Sequence, residues 1–258
     1  MSRAAPRLVA FDLDDTLAPS KSAIDPRIGE LLLRLAERVD VAIISGGRLE
    51  QFTAQVMDRL PAADAATLAR FHLLPACGTQ YYRVEGGATS TVYARGLDPR
   101  QRRRAIDVLE EEARRLGLWE AEPWGEIVED RGSQVTFSAL GQSAPVDAKA
   151  AWDPTGERKN TLRAAVADRL PELEVRSGGS TSIDITERGI DKAYGMRRLA
   201  EQADIPLSDM LFVGDRLDPG GNDYPVLALG VTCQAVTGWQ DTARFLDELI
   251  PALPAREQ

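Results

Sequence analysis

Apolar residues come in short runs, with at most one polar residue inside, that end abruptly in polar ones. Leu8-Val9-Ala10-Phe11 breaks into Asp12-Leu13-Asp14-Asp15-Thr16. Val39 to Ile44 breaks into Ser45-Gly46-Gly47-Arg48, and Phe71 to Leu74 into Pro75-Ala76-Cys77-Gly78-Thr79. Runs of this length predict buried strands. Between the first two, Ile28, Leu31, Leu32 and Leu35 recur at helical spacing. Arg27 to Arg38 is therefore predicted as an amphipathic helix, started by Asp25-Pro26. A second helix is predicted over Leu49 to Leu60. Strand, helix, strand, helix, strand is the order of a parallel sheet with crossover helices.

The pattern then changes. Tyr81 to Val84 and Thr91 to Tyr93 flank Glu85-Gly86-Gly87 and read as a hairpin. A charged helix, Pro99 to Leu116, follows. Strand-like stretches at Glu126 to Asp130, Gln134 to Ser138, Glu172 to Arg176 and Thr181 to Ile185 surround a helix near Glu157 to Arg169. Hairpins mixed with helices predict an antiparallel α+β insert over roughly residues 84–186. Parallel-type order returns with a helix from Lys192 to Gln202. A buried strand, Met210 to Val213, follows and ends in Gly214-Asp215. Pro225 to Leu229, Val231 to Val236 and a last helix, Asp241 to Leu249, complete it. The expected fold is α/β, with 1–83 and 187–258 forming one discontinuous core.

Composition narrows the function classes. The chain has 258 residues, 43% of them apolar, and a formal net charge of −9. That balance argues against a nucleic-acid surface. The runs Arg100 to Arg104 and Arg114-Arg115 are interleaved with Glu110, Glu111 and Glu112, as on a solvated helix face. No secretory signal or spanning run is evident, so a membrane partner is not expected. The two cysteines, Cys77 and Cys233, lack metal-ligand spacing and fit reduced thiols in a cytosolic protein. The single histidine, His72, lies in a strand-like run and reads as structural, which removes serine–histidine and cysteine–histidine catalysis.

The candidate chemistry collects just after predicted core strands, where open α/β sheets bind ligands. Asp12 and Asp14 are spaced i, i+2 and face one site if the strand geometry persists. Two converging carboxylates call for a hard divalent cation with oxygen ligands, above all magnesium. The blander reading is a solvated turn in which Asp14 or Asp15 caps a helix. Ser45, Gly78-Thr79, Lys192 at a helix start, and Asp215 with Asn222-Asp223 fall at equivalent places. A carboxylate can attack phosphorus, and a second can move the leaving oxygen's proton. A lysine, magnesium, a serine hydroxyl and glycine-rich amides can hold phosphoryl oxygens.

Phe11-Asp12-Leu13-Asp14-Asp15-Thr16 resembles the first motif of the haloacid dehalogenase (HAD) superfamily of phosphotransferases. The resemblance implies a HAD-like Rossmannoid core with an inserted α+β cap. It makes Asp12 the nucleophile and Asp14 the general acid/base, with Ser45 and Gly46 as the second motif, Lys192 the third and Gly214-Asp215 the fourth. Magnesium would be held by Asp12, the main-chain carbonyl of Asp14, and Asp215, with Asn222 or Asp223 assisting directly or through water. Asp215 to Asp223, ending in Pro-Gly-Gly-Asn-Asp, is similar to the signature of eukaryotic-type phosphomannomutases. Glu129 to Val135 with Ser138 to Gly141, Gly178 to Ile185, Gly189 to Lys192 and Ile24-Asp25-Pro26 extend the match in order. By resemblance, Arg131, Ser182 and Asp184 bind the sugar phosphate.

The chain departs from that family where it has Gln142, Lys149 and Lys21 in place of phosphate-binding arginines. A bidentate clamp thereby becomes point charges and an amide. Ser45-Gly46-Gly47-Arg48 is closer to the cap-bearing sugar phosphatases of the superfamily. Leu229 stands where the family has an acid of a second cation site, so that site is not expected. The expected function is magnesium-dependent phosphoryl transfer on a sugar phosphate, interconverting mannose 1-phosphate and mannose 6-phosphate. The alternatives are a sugar-phosphate phosphatase and, more distantly, a non-catalytic sugar-phosphate-binding protein. The resemblance also suggests a homodimer through the cap.

Overall fold

The computed structural model of the chain describes residues 5–255. In chain order its first elements are β1 (Leu8–Phe11), α1 (Pro26–Ala36), β2 (Asp40–Ile44), α2 (Leu49–Gln55), α3 (Ala65–Leu68), β3 (Phe71–Leu74), β4 (Gln80–Glu85) and β5 (Ala88–Ala94). Then come α4 (Pro99–Arg115), β6 (Val128–Asp130), β7 (Gln134–Ser138), α5 (Val146–Trp152), α6 (Glu157–Arg169), β8 (Leu173–Ser177) and β9 (Ser182–Glu187). The chain closes with α7 (Lys192–Ala203), β10 (Met210–Gly214), α8 (Tyr224–Ala228), β11 (Thr232–Ala235) and α9 (Trp239–Ala252). These divide into two compact units, one reaching Ala94 and resuming at Asp191, the other Arg95–Ile190.

The first unit is built on a seven-stranded sheet in the order β11-β10-β1-β2-β3-β4-β5. The strands from β11 to β3 run parallel, and β4 and β5 are antiparallel. Helices cover both faces, which is why the parallel strands read as continuous apolar runs and not as alternation. Val9, Phe11, Val41, Ile43 and Val213 pack with Ile28, Leu32 and Leu35 of α1 and Leu246 and Ile250 of α9. Leu8, Ala10, Ala42, Ile44 and Phe212 pack on the other side with Met196 and Leu199 of α7. β1 lies between β2 and β10, with Phe11 level with both Ile43 and Val213. Segments some two hundred residues apart in sequence thus end side by side.

Two boundaries differ from the sequence expectation. The helix expected over Leu49 to Leu60 ends at Gln55 and passes through Val56 into a 3-10 turn, Met57–Arg59. The Gln55 carbonyl accepts the Ile24 N–H at 2.9 Å, so it is not available to a continuing helix. The hairpin of β4 and β5 joins the first sheet through His72–Arg83 and Leu73–Tyr82 pairing, so the second unit begins at Arg95 and not near residue 84. A β strand needs an edge to pair with, and β3 offers one.

The second unit is a four-stranded antiparallel sheet, β6-β7-β9-β8. Val135, Phe137, Ile183 and Ile185 form its apolar face, packed with Leu109 and Ala113 of α4 and Leu162 and Val166 of α6. The strand alternation places Gln134, Thr136, Ser138, Ser182 and Asp184 on the opposite face. The helix α5 was not expected from the sequence. None of its seven residues is buried, so it carries no apolar stripe to read. Among the described residues no helix is long and apolar enough to cross a membrane.

Candidate active site

Asp12 extends β1 by one residue, its N–H donating to the Val213 carbonyl at 2.9 Å. That bond ties the carboxylate to the end of β10, where Asp215 follows Gly214. The loop after β10 folds back on itself. Asp223 donates its N–H to the Arg216 carbonyl at 3.2 Å, and Arg216 returns an N–H to Asp223 Oδ2 at 3.0 Å. Glycine is required twice here. A Cβ on Gly214 would stand 2.4 Å from Asp223 Oδ2, and one on Gly221 would stand 1.9 Å from the Arg216 carbonyl oxygen. The return places Asp223 in the interior, fully buried, while Asn222 next to it is exposed.

Lys192 opens α7, whose cap Asp191 accepts the Tyr194 N–H at 2.8 Å. The helix sits close enough for its first residue to reach the strand ends because Gly195 meets the turn after β3. A Cβ on Gly195 would stand 2.3 Å from Ile44 Cδ1 and 2.7 Å from the Cys77 carbonyl oxygen. Lys192 Nζ then lies 2.5 Å from both Asp12 Oδ1 and Asp223 Oδ1. All three are buried, with relative exposures of 3% for Asp12, 1% for Lys192 and none for Asp223.

The electrostatics follow from that burial. Asp12 is pushed well above the usual carboxylate range by burial first, with Asp223 and Asp215 adding to the rise and Lys192 opposing it. Asp215 is raised by burial and then by Asp223. Burial works against the Lys192 ammonium, but Asp12 and Asp223 outweigh it and hold the lysine above its ordinary value. One ammonium faces three carboxylates.

Asp12, Asp215 and Asp223 each offer a ligand atom within 4.8 Å of the others. An oxygen-only donor set with excess negative charge fits a hard divalent cation such as magnesium. Within the set, Asp223 is the carboxylate most engaged by protein, through Lys192 and Arg216. Asp14 does not join the group through its carboxylate. Its Oδ1 accepts the Lys21 N–H at 2.6 Å and its Oδ2 the Gln51 side-chain amide at 3.4 Å. Burial raises Asp14 as well. Asp15 accepts the Ser20 N–H at 3.1 Å, so Asp14 and Asp15 close the loop after β1, but neither caps a helix as the blander reading had it; the cap of α1 is Asp25. Lys21 itself is exposed and takes a left-handed φ of 57°.

Ser45 follows β2, next to β1 in the sheet, and is buried with its Oγ accepting the Gly47 N–H at 3.2 Å. Gly46 beside it is half-buried. Two contributors carried no sequence assignment. Thr16 donates Oγ1–H to Asp215 Oδ1 at 3.3 Å, and its carbonyl accepts from Thr242 Oγ1 at 2.7 Å. Thr16 closes the first motif, a visible signal. Gln51 is an ordinary polar residue of α2, and only folding reveals its contact with Asp14.

In the second unit, Arg131 forms an ion pair with Glu129, Nη2 to Oε2 at 2.5 Å, and both side chains are largely buried. Asp184 Oδ1 accepts from Gln134 Nε2 at 2.8 Å and Thr136 Oγ1 at 2.7 Å. Ser182 Oγ lies 3.4 Å from Ser138 Oγ. Lys149 Nζ donates to the Gln142 carbonyl at 3.2 Å. Ser182 and Asp184 therefore share one polar sheet face, whereas Lys149, on α5, reaches back to the main chain at Gln142. A separate cleft of about 610 Å³ is lined by Arg100, Arg103, Arg104 and Arg169 together with Asp107 and Glu111. It holds none of the candidate site residues. Arg169 there is already paired with Glu111 at 2.8 Å. His72 is buried against Tyr81, Nδ1 to Oη 2.7 Å, away from these groups in the sheet. Cys77 and Cys233 are free thiols.

The fold resembles solved structures at low identity. A haloacid dehalogenase-like hydrolase from Bacteroides thetaiotaomicron superposes with a TM-score of 0.63 at 15% identity, covering 95% of this chain and 99% of that one. An N-terminally truncated, IMP-bound IMP-nucleotidase from Plasmodium falciparum gives a TM-score of 0.69 at 14% identity, covering 96% of this chain and 69% of that one. In sequence, a probable phosphomannomutase of Caenorhabditis elegans is 25% identical over 259 aligned positions, covering 95% of this chain and 96% of the relative. Phosphomannomutase 1 of Mus musculus is 24% identical, covering 94% and 91%. The model of the eukaryotic phosphomannomutase family matches residues 28–252. With a HAD-like core, this acidic cluster and a match over most of its length, the chain belongs to the eukaryotic phosphomannomutase family of phosphotransferases.

Proposed function

We propose that the chain is a magnesium-dependent phosphotransferase acting on sugar phosphates, with Asp12 as nucleophile. The observation that carries this reading is the buried Lys192 ammonium shared by Asp12 and Asp223 beside Asp215. A buried lysine between carboxylates orients Asp12 and offsets part of the acidic charge that would repel phosphoryl oxygens. Asp12 attacks phosphorus, and Asp14 gives its proton to the departing sugar oxygen and later takes one from the next acceptor. Ser45 and the Gly46 amide hold phosphoryl oxygens. Asp12, Asp215 and the Asp14 carbonyl would hold magnesium, with Asp223 or Asn222 assisting. When bound, the ion supplies charge that balances the acidic cluster and the phosphoryl group.

Arg131, Ser182 and Asp184, with Lys21, Gln142 and Lys149, are assigned to the sugar phosphate. The names of the relatives make mannose 1-phosphate and mannose 6-phosphate the first substrates to test. The second reading, a sugar-phosphate phosphatase, is favoured by the residues at these positions: Gln142 and Lys149 stand where the resemblance implies arginines, and Lys149 Nζ donates to the Gln142 main-chain carbonyl. A mutase must exclude water and grip a second phosphate, and those residues give a weaker grip. Free thiols fit a reducing, cytosolic setting. Association through the second unit rests on the family resemblance and is read by sedimentation.

The test is incubation with mannose 1-phosphate, magnesium and a sugar 1,6-bisphosphate. Formation of mannose 6-phosphate supports the mutase. Release of inorganic phosphate without the 6-phosphate supports the phosphatase, and neither product overturns both.

A further inference from the structure

We infer that Gln51 is a positioning residue for Asp14, fixing the carboxyl that exchanges the proton during phosphoryl transfer. The inference rests on the reading of Asp14 as general acid/base. Gln51 sits in the first turn of α2, directly after the Ser45-Gly46-Gly47 loop. Its side chain folds back across that loop. Gly47 permits this, since a Cβ there would stand 2.3 Å from Gln51 Oε1. The amide Nε2–H then reaches Asp14 Oδ2 at 3.4 Å, across thirty-seven positions of sequence. Asp14 Oδ1 is held separately by the Lys21 N–H at 2.6 Å.

Each carboxyl oxygen therefore has its own donor, and together they fix both the direction and the rotation of the group. The Lys21 donor is main chain and belongs to the same loop as Asp14. Gln51 is the one that ties Asp14 to the neighbouring loop, where Ser45 and Gly46 are assigned to hold the phosphoryl oxygens. A long apolar side chain at 51 would fill the same space and leave Asp14 Oδ2 without that donor, so that the carboxyl, still held at Oδ1 by Lys21, is less fixed in rotation. Proton transfer in the transition state is sensitive to such misplacement.

The chemistry gives a selective readout. As the bond from Asp12 oxygen to phosphorus forms, the bond from phosphorus to the ester oxygen breaks, and the proton on Asp14 passes to that oxygen. A leaving group stable as an anion departs without the proton, and a poor one does not. The experiment compares kcat/KM, which reports the first transfer to Asp12, across aryl phosphates from dinitrophenyl to phenyl. It uses wild type, Gln51→Met, Gln51→Ala and Asp14→Ala. Both Gln51 variants should lose about tenfold on phenyl phosphate and under about twofold on dinitrophenyl phosphate, in the direction of Asp14→Ala but smaller. A uniform loss along the series, or none, overturns the inference. If one Gln51 variant fails to fold, the other decides. If Asp14→Ala itself shows no leaving-group dependence, the acid reading of Asp14 falls and this inference with it. If Asp14→Ala shows it and the Gln51 variants do not, only Gln51 is misassigned.

Discussion

Replacing Lys192 by methionine separates the electrostatic role of the ammonium from the space it fills. The two side chains are similar in length, so packing around the site is largely kept. What is lost is a charge 2.5 Å from Asp12 Oδ1 and 2.5 Å from Asp223 Oδ1, among residues no more than 3% exposed. Removing one partner of a buried ion pair costs about 3–5 kcal/mol, because the other charge is left without compensation. Here two acceptors share the ammonium, but proton uptake by one of them caps the loss, so about 3–5 kcal/mol is the expectation for the whole site. In a domain of this size that is a fall of roughly 6–20 °C in melting temperature.

The pH dependence of this loss is diagnostic. Lys192 is held above its ordinary value, so it is charged in both folded and unfolded chains from pH 5 to 8 and adds no slope there. Asp12 and Asp215 are raised by burial. A raised carboxyl contributes stability below its unfolded value and loses it as pH climbs through its folded value. Without the ammonium these carboxyls move further up, so the penalty of Lys192→Met is largest near pH 8 and shrinks toward pH 5. Urea unfolding at both values measures it. A penalty under about 1 kcal/mol at pH 8, or one equal at pH 5 and 8, would refute the reasoning.

Two further outcomes follow. Gly195→Ala drives a Cβ to 2.3 Å from Ile44 Cδ1 and 2.7 Å from the Cys77 carbonyl oxygen, and should cost about 1–3 kcal/mol. The check is the urea midpoint at constant slope, and an unchanged midpoint would mean α7 does not seat there. Magnesium added to metal-free protein at about a hundred times its dissociation constant should stabilise it by about 2.7 kcal/mol. With the magnesium concentration fixed at its pH 8 value, thermal scanning should show a larger rise at pH 8 than at pH 5, since protons compete for the raised Asp12 and Asp215 carboxyls; equal rises would contradict the assigned ligands.

The core strands were legible because burial on both faces leaves an uninterrupted apolar signature, as in Val9 to Phe11 and Leu211 to Val213. Asp12, Lys192 and Asp215 were legible because each terminates or starts such an element. The helix end at Gln55 was not, because a tertiary bond from Ile24 decides it. The hairpin Gln80–Ala94 was visible as a hairpin, but nothing local says which sheet edge it joins. α5 has no buried residue and so no stripe. In the site, the sequence places Asp14 beside Asp12 but cannot say that its carboxyl turns toward Lys21 and Gln51 while Asp223 turns inward. Spacing does not encode which way a loop carboxylate points.

The central claim is that Asp12 carries the phosphoryl group. The direct measurement is acid quench of the working enzyme with a phosphate monoester and magnesium, followed by borohydride reduction and peptide mass spectrometry. The same turnover is measured for Asp12→Asn. The account predicts reduction at position 12 and a loss of at least about 10³-fold in the variant. Label on another residue, or turnover that survives Asp12→Asn, would contradict it.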